Sequence, residues 1–277
     1  MLINQQKFLQ QKTFLWFSQN GRDLPWRHTH DPYKVLVSEV MLQQTGVDRV
    51  LPKYVQFIQA YPTVKHLAQA PTADLIKIWH PLGYNRRPLR LKAIAVQIET
   101  DFGGQFPNTF DQLLLLKGIG PYTAGAIMCF AYERDIAIID TNIRRIVHRW
   151  FVGSDIPQLK MKDKDLQDLA QKVLPPGQGY AWNGALMDFG SAICTSNNPQ
   201  CPLCPLQSQC CAYPQIMSHK RVRGVAKEKF VDSNRYFRGK TLRILGSHPP
   251  NLTLEALGFA LKSDFEPITT GRPLSCG

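Results

Sequence analysis

The stretch LLLLKGIGPYTAGAI, residues 113–127, joins two helical patterns through a short turn that contains Gly118 and Gly120. Pro121 stands where the second helix should begin, a position at which its missing N–H costs nothing. Glycines permit a sharp turn and let backbone N–H groups approach an anion, and the helix N-terminus adds a favourable dipole. The pattern predicts a helix-hairpin-helix motif that binds a phosphate. An ordinary turn with a C-capping glycine is the alternative.

Apolar residues recur at helical spacing on both sides of this hairpin, and no segment alternates in the manner of a strand. Turns rich in Gly, Pro and Asn separate these segments. The sequence therefore predicts an all-α fold. The helical patterns in this part of the chain cover residues 8–18, 35–45, 50–61, 89–99, 124–133 and 143–151.

The composition describes a globular, basic chain. Its 277 residues are 44% hydrophobic, which is enough to form a sizeable core, and the formal net charge is +12. A surplus of Lys and Arg favours a polyanionic partner, either nucleic acid or a membrane surface, over a merely basic soluble protein. The N-terminal MLINQQKFLQQK lacks the features of a signal peptide, and we find no apolar run long enough for a membrane span. We expect an intracellular protein that does not enter membranes.

Four of the seven cysteines lie in CTSNNPQCPLCPLQSQC, residues 194–210, with the spacing C-x6-C-x2-C-x5-C. Clustered thiols in a reducing compartment ligate metal more often than they pair. Zinc ribbons usually combine two C-x2-C knuckles, whereas this loop has one and is compact enough to wrap a four-iron cubane. We therefore predict a [4Fe-4S] cluster, with zinc as the alternative, and a core position for Cys129. The predicted ligands are Cys194, Cys201, Cys204 and Cys210.

The chain after the cysteine loop divides into two further parts. Residues 214–230 include the basic stretch SHKRVRGVAKEK and are predicted to form a linker. Residues 231–277 carry two more helical patterns and are predicted to form a small helical extension, compatible with part of a winged-helix or helix-turn-helix module. The main domain is then residues 1–213.

The order of hairpin, Asp140 and cysteine loop resembles the helix-hairpin-helix glycosylase superfamily that includes endonuclease III. Within it, four segments are similar to the MutY adenine DNA glycosylases, and the match covers about residues 4–213. The resemblance implies a two-lobed fold and a monomer that acts on double-stranded DNA containing a mismatched or oxidised base. The segments are LPWRHTHDPYKVLVSEVMLQQT, LGYNRR, KGIGPYTAGAI and MDFGSAICTSNNPQCPLCPLQSQC.

The resemblance also implies the catalytic groups. Removal of a base requires a proton for the leaving group and a negative charge near the cationic sugar. Glu39 matches the family's general acid, Asp140 the stabilising carboxylate, and Asn142 the residue that positions this carboxylate. Tyr122 stands where bifunctional relatives carry a lysine that forms a Schiff base, so a monofunctional enzyme is expected.

Residues that match the family's DNA contacts fall in three groups. Trp26 and Arg27 match the wall of the base pocket. A second group matches residues that wedge into the duplex or contact the opposite base, which suits base flipping. The hairpin glycines would approach a phosphate. The last two groups comprise Gln43, Gln44, Thr45, Leu82, Tyr84, Gly118 and Gly120.

This chain departs from the family pattern at several positions. Gly184 replaces the Gln or Glu that faces adenine, Thr141 replaces a glycine, and LGYNRR replaces a commoner LGYYxR. The chain also ends without room for the domain that helps relatives recognise 8-oxoguanine. We predict an adenine glycosylase that acts opposite 8-oxoguanine or guanine. The alternatives are a thymine or uracil mismatch glycosylase and a non-catalytic DNA-binding protein, the latter disfavoured because Glu39 and Asp140 are both present.

Overall fold

The computed structural model describes residues 2–156, 161–218, 230–247 and 252–262. Every regular element in these ranges is helical, which confirms the all-α prediction. None of the helices there is both long and apolar enough to cross a membrane. The α-helices are α1 Leu2–Asn20, α2 Pro32–Leu42, α3 Val47–Ala60, α4 Val64–Gln69, α5 Thr72–Trp79, α6 Arg86–Asp101, α7 Phe110–Leu115, α8 Pro121–Phe130, α9 Thr141–Phe151, α10 Asp163–Val173, α11 Gly179–Ala192, α12 Gln215–Ser218, α13 Asn234–Ser247 and α14 Leu254–Leu261.

Local chemistry explains where several helices begin. Asp31 caps α2, Thr109 caps α7 and Asp140 caps α9, each through a side-chain oxygen that accepts a backbone N–H of the first turn. Pro121 is the first residue of α8, as the sequence predicts, and Gly120 precedes it as the N-cap. The helices that carry the candidate site therefore start at fixed positions.

The first lobe consists of α2–α8 packed around one core. In it, α4 packs along α6, and α2 packs against both α3 and α8. Trp79 and Phe57 are fully buried and meet edge to face at 5.9 Å between ring centroids. This core fixes α2 and α8, which carry Glu39 and Tyr122 respectively.

The second lobe combines the first helix of the chain with α9–α11. Here α1 packs on α11, and α9 packs on both α10 and α11. Trp150 lies 5.7 Å from Phe189 and 6.3 Å from Trp182 in an aromatic core. The cysteine loop follows α11 directly, so this lobe supports both Asp140 and the four clustered thiols. Cys129 is fully buried, as predicted.

The C-terminal helices form a pair that touches the first lobe. α13 packs against α14, and α13 also contacts α5. The described part of the predicted linker contains α12, while residues 219–229 lie outside the described residues, as do 248–251 and 263–277 of the predicted extension.

Candidate active site and nucleic-acid interface

One pocket receives walls from both lobes and contains three of the predicted site residues. Glu39 is buried in the middle of α2, and Trp26 stands beside it with its ring 5.2 Å from that of Tyr54. The sequence predicts Trp26, Arg27 and Glu39 here, and the structure brings them together. The lining residues are Arg22, Leu24, Trp26, Arg27, Val35, Ser38, Glu39, Leu42, Val47, Phe130, Tyr180 and Met187.

Burial changes the acid strength of Glu39. Removal from water disfavours the charged carboxylate and raises the pKa of Glu39 from 4.5 to about 7, and the nearby charge of Asp140 acts in the same direction. The neighbouring Tyr122 phenol opposes this increase in the pKa of Glu39 by favouring the carboxylate. A carboxyl with a pKa near neutrality can hold a proton and still release it to a substrate.

Tyr122 occupies the first turn of α8, directly after the hairpin. Its side chain is 36% exposed, but its phenol is enclosed beside two carboxyls. Burial and the charges of Glu39 and Asp140 all raise the pKa of Tyr122 above its ordinary value. The phenol therefore stays protonated beside Glu39.

Asp140 is held in a different way, by hydrogen bonds at the start of α9. One carboxylate oxygen accepts the Ile143 N–H at 2.6 Å, and the other accepts the Asn142 side-chain amide at 3.0 Å. Burial raises the pKa of Asp140, while these donors and the Arg145 charge favour the ionised form. Asp140 and Asn142 thus lie together, in the arrangement that the family resemblance implies.

A buried arginine, which sequence reasoning missed, connects Asp140 to the cysteine loop. Arg145 donates to the Asn142 side-chain oxygen at 2.8 Å, to the Gly190 carbonyl at 2.7 Å and to the Cys194 carbonyl at 2.6 Å. The helical spacing of α9 offers one signal, because Arg145 stands one turn after Asn142 and shares its face of the helix. The carbonyl partners lie more than forty residues away in sequence and leave no local signal.

The four clustered cysteines line a single cavity, which Arg149 also lines. This arginine is buried, donates to Asp155 at 2.6 Å and to the Thr195 carbonyl at 2.7 Å, and lies 3.5 Å from the Cys194 sulfur. An all-sulfur donor set beside a buried cation suits an anionic iron–sulfur cluster. Within the described ranges, no three His, Cys, Asp or Glu side chains are grouped to hold one metal ion.

Gly184 lies behind the pocket and is absent from its lining. A Cβ at this position would stand 3.6 Å from the Phe17 ring and 3.9 Å from the Arg27 guanidinium. Arg27 and Arg22 both pair with Asp188, a buried residue that the sequence did not single out. A Cβ at residue 184 would thus make ordinary van der Waals contacts with Phe17 and Arg27.

Two exposed loop residues border the predicted duplex face in strained conformations. Gln44 has φ +56° and Tyr84 has φ +50°, values that non-glycine residues rarely adopt. Tyr84 is 48% exposed, whereas Leu82 is buried at 3%. The burial of Leu82 does not fit its predicted contact with the duplex in this conformation. It contributes to the core below the loop.

Buried Arg87 joins the two loops. Its guanidinium donates to the carbonyls of Met41 at 2.8 Å and Gly83 at 3.2 Å, and to the Thr45 hydroxyl at 3.0 Å. Thr45 is therefore engaged within the protein, while Gln44 and Tyr84 face outward. No pattern in the sequence indicates that a charged residue supports both loops.

The hairpin turn also depends on an arginine. Gly118 has φ +106°, and a Cβ there would approach the Arg90 Cδ to 2.6 Å. Arg90 in turn donates to the side-chain oxygen of Gln43. Gly118 is therefore required by both its backbone conformation and this close approach. The contact also connects the hairpin with the loop that carries Gln43 and Gln44.

Comparisons with known proteins agree with this architecture. Residues 37–195 match the family described as HhH-GPD superfamily base excision DNA repair protein. The chain is 36% identical over 255 residues to an adenine DNA glycosylase of Mycolicibacterium smegmatis, covering 90% of this chain and 84% of that protein. A thermostable thymine-DNA glycosylase superposes with a TM-score of 0.72 at 31% identity, over 77% of this chain and 99% of that one. Endonuclease III in a non-covalent DNA complex shares the fold, with a TM-score of 0.66 at 19% identity over 76% of this chain and 96% of that chain.

The chain belongs to the HhH-GPD superfamily of base excision DNA repair proteins. Glu39 of the first lobe lines the pocket between the lobes, and the charge of Asp140 from the second lobe acts on it.

Proposed function

We propose that this protein is a monofunctional DNA glycosylase that hydrolyses the bond between deoxyribose and a mispaired adenine opposite 8-oxoguanine or guanine. The observation that carries the proposal is Glu39, a buried carboxyl with a pKa of about 7 on the wall of a pocket shared by two lobes. The similarity to adenine DNA glycosylases supports the choice of base.

Adenine is a poor leaving group, so the glycosidic bond breaks readily only when the ring accepts a proton. Glu39 would donate its proton to a ring nitrogen of a base held beside Trp26. The electron pair of the broken C–N bond then leaves with adenine, and the sugar becomes cationic. Burial, which keeps Glu39 protonated near neutral pH, prepares this step.

Asp140 would stabilise the sugar cation with its negative charge or form a bond with it. Asn142 and the Ile143 N–H hold the carboxylate in one orientation, so little reorganisation is needed as the charge develops. A water molecule then adds to the sugar carbon, and its proton returns to the Glu39 carboxylate. The products are free adenine and an intact strand with an abasic site.

Tyr122 separates this reaction from lyase chemistry. A lysine amine at this position could attack the sugar and form a Schiff base, whereas a phenol cannot. With a phenol at this position, strand cleavage is expected only after alkali, and borohydride should trap no covalent complex.

The protein would hold DNA through its hairpin and the two strained loops. Backbone N–H groups at Gly118 and Gly120 would bind a phosphate, and Gln44 and Tyr84 would enter the duplex as the base leaves the stack. Gln43 and Thr45 support these contacts through Arg90 and Arg87. We expect the protein to act as a monomer.

The cysteine loop would hold a [4Fe-4S] cluster through Cys194, Cys201, Cys204 and Cys210. The cluster would supply structural support for the loop. Iron analysis of purified protein should give about four iron atoms per chain with visible charge-transfer absorption. Stoichiometric zinc in a colourless protein would contradict this assignment.

A thymine or uracil mismatch glycosylase is the second candidate. It is favoured by the similarity to a thymine-DNA glycosylase structure and by Gly184, which brings no hydrogen-bonding side chain to the pocket.

One experiment separates the candidates. Purified protein is incubated in excess over duplexes containing A:8-oxoG, A:G, T:G and U:G, and the strands are then treated with alkali. Adenine release from the first two pairs is the expected result. Release confined to T:G or U:G would replace the proposal with the second candidate, and release from none would leave a DNA-binding protein.

A further inference from the structure

Helix α13 carries a concentrated positive charge to the edge of the predicted duplex face. The segment 234–247 contains four basic residues and no acidic one. Arg235 and Arg238 are both exposed and lie one turn apart, so they share a face of the helix. Such a run of basic residues is often only a solvated surface. Whether it can bind a partner depends on where the helix packs on the rest of the protein.

The anchor is the strained loop that carries Tyr84. The Arg235 guanidinium lies 5.2 Å from the Tyr84 ring, and Arg87 lies 5.4 Å from the same ring. Cations near a tyrosine ring are attracted by its quadrupole. Tyr84 is thus contacted by one arginine from the first lobe and one from α13.

Further contacts keep α13 in this position. The helix packs against α5, whose C-terminal end leads into the Tyr84 loop. The positive charge of Arg243 contributes, after burial, to a lowered pKa of His80 next to that loop. On the other side, Lys240 donates to the Leu261 carbonyl at 2.6 Å and ties α14 to α13.

We propose that α13 is a second DNA-binding surface, which contacts the phosphate backbone beside Tyr84 through Arg235 and Arg238. Tyr84 holds Arg235 at the border of the duplex, and Arg238 continues the positive face along the helix. Phosphates are favoured over a protein partner because α13 itself carries four basic residues and no acidic one, a charge pattern that matches a polyanion. This inference rests on the proposed action on DNA.

The test compares salt dependence of binding to a fully paired duplex, so it does not require base removal. In the double variant Arg235→Gln/Arg238→Gln, the slope of log K against log salt should become shallower by about 1.8, the value for two lost phosphate contacts. The variant Arg235→Lys/Arg238→Lys keeps both charges and should retain most of the slope.

The matched control is Lys164→Gln/Lys172→Gln, which removes two exposed charges from α10 in the other lobe. Thermal unfolding of each variant verifies that the fold is intact. If the α13 variant and the α10 control have equal slopes and affinities, the second surface does not exist. A wild-type protein that binds with the expected slope but releases no adenine would refute the proposed reaction and leave α13 as a binding surface.

Discussion

The two lobes place one carboxyl each beside the pocket and treat these groups differently. In the first lobe, Glu39 lies in an apolar helix, and burial raises its pKa to about 7. In the second lobe, burial also raises the pKa of Asp140, but two hydrogen-bond donors of its own and a nearby arginine oppose this rise and favour its charged form. Unequal surroundings separate the acid strengths of two similar groups, which is how a proton donor and an anion can coexist at one pH.

The largest expected effect comes from Glu39→Gln, which removes the proton of the first-lobe carboxyl. Single-turnover release of adenine should fall by about 10²–10⁴-fold, the range for a lost general acid, while DNA binding is retained. Glu99→Gln, at a partly exposed glutamate of α6, is the control. An unchanged rate in Glu39→Gln would show that Glu39 is not the general acid.

Arg149→Met tests whether the second lobe depends on buried charge. Removal of this guanidinium breaks its buried ion pair with Asp155, so the free energy of unfolding should fall by about 3–5 kcal/mol. The double variant Arg149→Met/Asp155→Leu should recover much of this loss. Equal instability of both variants in denaturant titrations would mean that Arg149 matters through the cysteine loop instead of through the ion pair.

Asp140→Asn keeps the N-cap of α9 but removes the negative charge. The rate of base release should fall by about 10²-fold, as expected when a preorganised group no longer stabilises developing charge. Thermal unfolding should change little, because asparagine caps helices well. If the variant releases adenine at the wild-type rate, Asp140 acts only as the N-cap of α9 and not in the reaction.

The smallest expected effect is the change in rate and stability as the pH passes the pKa of Glu39. Single-turnover rates should decline above pH 7, by about tenfold per unit once Glu39 has lost its proton. Glu39 binds its proton more tightly when folded, so its contribution to stability is present below pH 4.5 and is lost as the pH rises through 7. The melting temperature of Glu39→Gln should therefore show less decline over this interval than that of the wild type.

Patterns in the sequence predicted the features that neighbouring residues determine, such as helices and the positions where they begin. Periodicity predicted the all-α fold, Pro121 was expected to begin a helix, and Cys129 was expected in the core. The buried arginines were missed because their partners are carbonyls distant in sequence. Leu82 shows the same limit, since whether a loop leucine points inward depends on packing that the motif LGYNRR does not encode.

Because α1 packs on α11, the second lobe is assembled from the two ends of the glycosylase region. Glu39 is synthesised early, Asp140 only at about the middle of the chain, and the pocket residues Tyr180 and Met187 later still. A chain that stops before α9 therefore lacks the α11 side of the pocket, although it contains Glu39.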